Sequence, residues 1–377
     1  MTSASEGAAN TGGRASGDIL VVGGYGDVGS NVSEHLARRF PGRVVIGGRR
    51  GAAAESLADR IGHETRAVQM DIRDPVDVGA AMDGVETVAV CLGDRTGVLL
   101  ANAVVRGLGY VDINAERRTI EAGRRLHEQA RGSGARAVLG IGLAPGVTNL
   151  MAAGVADQVG DPSELLVGVH LSLSDEFGPQ ALDFMLEAAA RPFPEPRAGS
   201  TRRVFPYTEP RPVWFGPDVG FRQARWFPFP DQFGFAETLG VESAATVIAL
   251  DPRWIDRVMA ASASLRILRL SANPRLRGAL AWLLIRLRGT ARPAPVRVSA
   301  TAKAGHTTAT VLLEGMGESA ATAHALATAA SLIGDTEPGV WLPEQAFTPG
   351  TFLDELATGT DITITWSGVR DEQRLAE

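Results

Sequence analysis

Through the first 150 residues, short apolar runs alternate with apolar stripes at helical spacing. Residues 19–22, 43–46, 66–71, 85–92, 110–113 and 137–141 read as strands, and 19–22, 43–46, 85–92 and 137–141 are rich in Val, Ile, Leu and Ala, as strands buried on both faces must be. Between them, a segment with Val32, Leu36 and Phe40 on one face, and then 52–61, 75–82, 98–107 and 118–131, predict helices. Strand and helix in turn, with short connections, predict an α/β fold whose N-terminal part is a doubly wound parallel sheet. The pattern changes near residue 150. Residues 165–173 alternate like a strand of a different sheet, 179–190 and 320–333 predict helices, and 296–302 with 307–313 predict a hairpin around Lys303–His306. Residues 252–285 read as mostly helical, broken at Asn273-Pro274, while 191–235 form a long aromatic loop region.

The predicted organisation is a disordered tail over 1–17, a Rossmann-type dinucleotide-binding domain over 18–150, and a second α+β domain over 151–345 for substrate or dimerisation. A final segment, 346–377, is expected to return to the first domain. The tail is rich in Ser, Ala, Gly and Thr and lacks both the basic start and the apolar core of a signal peptide. No apolar run approaches the roughly 20 residues that span a bilayer, so no integral membrane segment is predicted and a cytoplasmic location is expected.

The first predicted strand runs into Gly24-Tyr25-Gly26-Asp27-Val28-Gly29 and then into a helix. In that context G-x-G-x-x-G is a dinucleotide fingerprint: Gly24 for the turn, Gly26 for close approach of a pyrophosphate, Gly29 for helix–strand packing. The second strand ends in Gly47-Gly48-Arg49-Arg50. A site for NAD places a carboxylate there to bind the ribose 2′-hydroxyl, whereas guanidinium groups pair with a 2′-phosphate. Arg49 and Arg50 therefore point to NADP(H). Asp71 and Gly93, at the carboxyl ends of the third and fourth strands, join the cofactor candidates, as does Asn149, which either fixes the nicotinamide amide or caps a helix.

Composition narrows the chemistry. A net charge of −6 gives no electrostatic case for nucleic acid. Cys91 is the single cysteine, so an intramolecular disulfide is excluded, and its Val/Ala/Leu neighbours suggest a buried strand residue. The six histidines show no paired ligand spacing, and no metal is predicted. Lys303 is the only lysine against many arginines, which lowers the weight of any single arginine.

Four stretches together carry a resemblance: Val21–Gly29, Gly109–Ile113, Gly142–Asn149 and Pro338–Glu344. The chain resembles the saccharopine dehydrogenase-like NAD(P)-binding oxidoreductases. The resemblance implies a Rossmann domain, a second domain inserted before a returning segment, and hydride transfer in the cleft between them. Family members acting on saccharopine carry an acidic pair in Glu-Ile-Gly-Leu-Asp-Pro-Gly, and here Gly140 and Ala144 stand in those two places. That departure points away from saccharopine.

Hydride transfer to an imine also requires management of one proton. Asp112, which matches the family's aspartate, and Tyr110 share one strand face and are the catalytic candidates. The alternative for Asp112 is a helix-capping role. His170, alternating with Val167 and Val169, is a third candidate, and Glu344 is either a cleft residue or an ordinary loop carboxylate. The aromatic run Trp214, Phe215, Phe221, Trp226, Phe227, Phe229, Phe233 and Phe235 reads as the lining of a mainly apolar pocket, with a subunit interface as the alternative. Arg266 to Arg288 interleaves arginines and leucines, and reads as a helix pair on the second domain or as a surface for membrane or a lipid-like substrate. The expected function is NADP(H)-dependent reduction or oxidation of a C=N or C=C bond in a moderately apolar small molecule of specialised metabolism. The alternative is a non-catalytic dinucleotide-binding scaffold or redox sensor. A homodimer is left open.

Overall fold

The computed structural model describes residues 17–175, 179–197, 199–287 and 294–371 of the 377-residue chain. The expected disordered tail lies, apart from Gly17, outside the described residues. In the first half, β1 (Asp18–Val22), α1 (Asp27–Arg39), β2 (Val44–Gly48), α2 (Gly51–Ile61), β3 (Arg66–Gln69), α3 (Pro75–Ala81) and β4 (Val85–Val90) follow in turn. Then come α4 (Val98–Arg106), β5 (Gly109–Asp112), α5 (Arg117–Arg124), α6 (His127–Ser133), β6 (Arg136–Val138) and α7 (Val147–Val159). The expected helix over 118–131 is thus two helices.

These strands pair in parallel in the order β6-β5-β4-β1-β2-β3, a doubly wound arrangement whose direction of winding reverses between β1 and β4. Successive side chains of β1 explain its unbroken apolar run. Ile19 and Val21 pack with Val32, Leu36 and Leu57 of α1 and α2, while Leu20 and Val22 pack with Val78, Leu99 and Val104 of α3 and α4.

The second half contains β7 (Glu164–Ser172), α8 (Pro179–Ala188), the short pair β8 (Phe193–Pro194) and β9 (Arg203–Val204), β10 (Arg211–Trp214) and β11 (Phe221–Trp226). It continues with α9 (Phe235–Thr238), β12 (Ser243–Asp251), α10 (Arg253–Ser264), α11 (Pro274–Leu287), β13 (Pro295–Ala304) and β14 (Thr307–Met316). The last elements are α12 (Glu318–Leu332), β15 (Gly339–Trp341), α13 (Pro343–Ala346), α14 (Pro349–Ala357) and β16 (Thr363–Asp371). A mixed sheet forms in the order β10-β11-β12-β7-β13-β14-β16. Two helices, α7 and α12, lie in the core between this sheet and the first domain, and both are rich in small residues and buried nearly all round.

Two expectations need adjustment. The strand that returns to the first sheet is β15, parallel to β6, whereas the tail strand β16 adds to the second sheet beside β14. Trp366 of β16 anchors that tail: a Cβ on Gly154 of α7 would lie 2.5 Å from its ring. The aromatic segment, for its part, contains a β-hairpin. Phe215, Trp226, Phe227, Phe229 and Phe235 are buried core residues, and Trp214 and Phe221 are exposed. Trp226 of β11 and Phe215 after β10 enter the core on one side of the sheet, Phe227, Phe229 and Phe235 enter the main core, and Phe233 lines a cavity wall.

Candidate functional site

The turn after β1 is shaped by glycine for reasons of space. Gly23 holds the left-handed backbone (φ 76°), so the turn conformation rests on Gly23, one residue before the expected Gly24. A Cβ on Gly24 would sit 2.8 Å from Ser33 Oγ, and one on Gly29 only 2.1 Å from the Gly23 carbonyl. Gly29 is what lets α1 start directly against the turn. A Cβ on Gly26 would meet only the Gly23 oxygen, at 3.3 Å, so the other side of Gly26 is open. Gly26 is the N-cap of α1 and provides no side-chain cap, which leaves the N–H groups of Asp27, Val28 and Gly29 without an intrahelical acceptor. This is the geometry that receives a phosphate.

The neighbouring strand end is covered by an aromatic ring. The Tyr25 ring lies over Gly48, where a Cβ would approach it to 2.5 Å, so a side chain at position 48 would have to displace that ring. Tyr25 Oη accepts a hydrogen bond from the Arg50 N–H at 3.1 Å, and the Arg50 guanidinium stacks 4.9 Å from the ring centre. Arg49 and Arg50 are exposed and form no ion pair among the described residues. Asp71 lies beyond β3 with its carboxylate paired to Arg73, whose hydrogen bonds hold it at a pKa of about 2. Gly93 is exposed, with nothing within 4 Å of the space a Cβ would fill. These positions line the carboxyl edge of the sheet around the point where its winding reverses, and they fit a dinucleotide with a 2′-phosphate.

Tyr110 and Asp112 share one face of β5, as expected, while Val111 points to the opposite core. The Tyr110 hydroxyl donates to Asp112 Oδ2 at 3.1 Å; Oδ1 accepts from the N–H groups of Asn114 (3.1 Å) and Gly140 (2.8 Å). The carboxylate therefore staples the ends of β5 and β6 together, a structural role different from the helix cap considered above. Burial raises its pKa to about 6 against those hydrogen bonds, and burial likewise pushes the Tyr110 phenol upward. Both line a cavity of ≈ 400 Å³ with Asp94, Glu116 and Arg118.

Asn149 stands in the first turn of α7. Its Oδ1 accepts from the Gly146 N–H at 2.9 Å and its Nδ2 donates to Glu344 Oε2 at 2.9 Å. Both ends of the amide are thus engaged within the protein. Glu344 also accepts from Thr238 Oγ1 at 2.8 Å, which ties the returning segment to the second domain, and burial raises its pKa.

His170 does not join these groups. On β7 it is registered with Ala249 of β12, a position whose side chain packs with Ala245 and Val247 in the core on the far side of the second sheet. It sits there beside Phe215, with Nε2 3.1 Å from Asp251 Oδ2, and burial lowers its pKa. Odd-numbered Val167 and Val169 face the first domain instead.

Asp231 was not foreseen. It lies in a 3₁₀ turn over Asp231–Phe233 and is only 3 % exposed. Its Oδ1 accepts from the Gln232 N–H (2.7 Å) and Thr246 Oγ1 (2.9 Å), and the buried Thr148 hydroxyl also faces the carboxylate and favours its charged form. Burial lifts its pKa to about 6. It lines a cavity of ≈ 100 Å³ between the domains with Arg117, Arg124, Gly140, Asn149 and Phe233. Gly140, held by Asp112, is a wall of that cavity, so the two carboxylates flank one loop. The signal in the sequence was a lone acid inside Phe229-Pro230-Asp231-Gln232-Phe233, where an apolar setting implies a buried carboxylate.

Comparison with known proteins agrees with this geometry. Residues 19–138 match the family model described as the saccharopine dehydrogenase NADP binding domain. Apo saccharopine dehydrogenase (L-Glu forming) from Saccharomyces cerevisiae is similar in structure, with a TM-score of 0.66 at 16 % identity over 93 % of this chain and 100 % of that one. Serine dehydrogenase from Escherichia coli (TM-score 0.24, 14 % identity, 30 % of this chain and 74 % of that one) overlaps only in part. So does the 3-ketoacyl-(acyl-carrier-protein) reductase of Brucella melitensis (TM-score 0.28, 18 % identity, 33 % and 74 %). No curated protein sequence matches the chain. Residues 19–138 are therefore similar to a saccharopine dehydrogenase NADP binding domain, and the chain as a whole shares the fold of saccharopine dehydrogenase.

Proposed function

We propose that this chain is an NADP(H)-dependent oxidoreductase that moves a hydride to or from a C=N or C=C bond of a moderately apolar small molecule in specialised metabolism. The observation that carries the proposal is the open Gly26 turn with three free helix N–H groups, set beside a strand end that has glycine in place of a carboxylate, under the Tyr25 ring, and presents two exposed arginines outside any ion pair. The N–H groups of Asp27, Val28 and Gly29 hold the pyrophosphate, and Arg49 and Arg50 take the 2′-phosphate through charge-assisted bonds. Asp71 and Gly93 border the same edge. When bound, the nicotinamide supplies or accepts the hydride.

The chain's own groups manage the proton. Asp231 offers a buried carboxylate on a cavity wall, poised near pH 6 between its charged and neutral forms, and suits an iminium or ammonium nitrogen. Asp112 and Tyr110 form a second proton-bearing pair behind the same loop. The test is NADPH consumption with a panel of imines and conjugated enones. The enzyme reading expects turnover that Asp112→Asn and Asp231→Asn each reduce while NADPH still binds. The scaffold reading is favoured by the internal hydrogen bonds of Asp112, Asn149 and Glu344. NADPH binding without turnover on any member of the panel would support it.

A further inference from the structure

The helical segment from α10 to α11 is anchored on one side and open on the other. Ile255 and Leu268 are buried, the Ser271 hydroxyl bonds the Leu186 carbonyl at 2.7 Å, and Arg277 pairs with Asp183 and Glu187 of α8. The outward face is apolar. On α10 Trp254 and Val258 lie one turn apart, Leu265 just past its end and then Ile267 and Leu270 continue the exposed series, and α11 adds Leu276, Trp282, Leu283 and Ile285. Leu265 is 72 % exposed and Trp282 59 %, a large apolar surface to leave in water.

The charges around this face have one sign. Between Arg253 and Arg286 stand seven arginines and a single carboxylate, Asp256, which is itself paired with Arg225. Arg253, Arg257, Arg266, Arg269, Arg275 and Arg286 form no ion pair among the described residues. This basic surface belongs to a chain of net charge −6, so the charge is segregated rather than general. A second copy of the chain, meeting the same face across a two-fold axis, would set these arginines against each other.

We propose that this face docks on an anionic phospholipid bilayer, with the leucines, Ile267, Ile285 and the tryptophans entering the headgroup boundary and the arginines on lipid phosphates. The Arg286 guanidinium lies 5.0 Å from the centre of the Trp282 ring, so arginine and tryptophan share this face, and a helical surface rich in Arg, Trp and Leu lies in an anionic interface. No helix among the described residues is long and apolar enough to cross a membrane, so the attachment is peripheral. Arg288 lies outside the described residues.

The full-length protein is to be sedimented with vesicles of phosphatidylcholine plus phosphatidylserine, and with phosphatidylcholine alone. Binding to the mixed vesicles only, reduced by salt, is the expected result. Each arginine contributes roughly fivefold. Arg257→Gln, Arg266→Gln and Arg275→Gln combined should weaken binding about a hundredfold, and Leu265→Ser with Trp282→Ser should abolish it. Because these side chains are exposed, NADPH-induced thermal stabilisation should be unchanged in both variants. Three results would each overturn the proposal: no sedimentation with mixed vesicles, equal binding to both vesicle types, or a solution dimer that the Leu265→Ser/Trp282→Ser variant disperses in the absence of any vesicle binding.

Discussion

Two glycines three residues apart, Gly26 and Gly29, should separate binding from folding. Gly29→Ala places a Cβ 2.1 Å from the Gly23 carbonyl and 2.8 Å from the Gly24 Cα, both backbone atoms that cannot rotate away. The α1 helix must lift off the turn, and overpacking of this kind costs about 1–3 kcal/mol. Gly26→Ala meets one atom at 3.3 Å, and Gly26 has an extended backbone (φ −79°, ψ 178°) that alanine adopts freely. The remaining cost is the poorer helix cap, about 0.5–1 kcal/mol. The new methyl nevertheless occupies the open side of the turn, where the pyrophosphate must come close. Thermal melting without ligand should therefore rank wild type, Gly26→Ala, Gly29→Ala, with Gly26→Ala near wild type. NADPH titration by nicotinamide fluorescence should rank Gly26→Ala at least tenfold weaker than wild type, a loss of roughly 1.4 kcal/mol. A Gly26→Ala protein that binds NADPH like wild type would refute the assignment of this turn to the phosphates.

Further outcomes follow from the buried groups. Asp231 and Asp112 bind protons more tightly folded, at about pH 6, than unfolded, so their stabilising contribution is complete below about pH 4 and is lost as pH rises to 6. Asp231→Asn should remove part of that loss, melting higher relative to wild type at pH 8 than at pH 4, by on the order of 1–3 kcal/mol; parallel pH curves would contradict it. Gly154→Ala should destabilise against the Trp366 ring, yet in a Trp366→Ala background the same change should stabilise by up to about 1 kcal/mol through helix propensity, a sign reversal readable by urea unfolding. His170→Ala, on the far face of the second sheet, should lower the melting temperature while leaving the NADPH dissociation constant unchanged.

What was legible in the sequence tracks what local pattern determines. The first sheet could be read nearly strand by strand because its apolar runs and glycine turn are local signals. The Gly48-Arg49-Arg50 ending was visible too, although the Tyr25 ring over position 48 is a contact between residues far apart in sequence. His170 shows the limit of reading alternation alone: the period separates its face from that of Val167, and only the sheet's packing says which face meets the first domain. The aromatic run was legible as apolar but not as hairpin core: Gly216-Pro217-Asp218-Val219-Gly220 marks the turn, but the short flanking strands 211–214 and 221–226 lack a clean apolar alternation. Glu344 meets Asn149, and lies within electrostatic reach of Asp231, through tertiary contacts that no spacing encodes.

The central claim is most directly tested by titrating purified protein with NADPH and, separately, NADH, following fluorescence and thermal stability. The account predicts stabilisation by NADPH of about 2.7 kcal/mol at 100 times its dissociation constant. It also predicts weaker binding of NADH, with the preference abolished by Arg49→Asp. Failure to bind either nucleotide, or an NADPH preference that Arg49→Asp leaves intact, would contradict it.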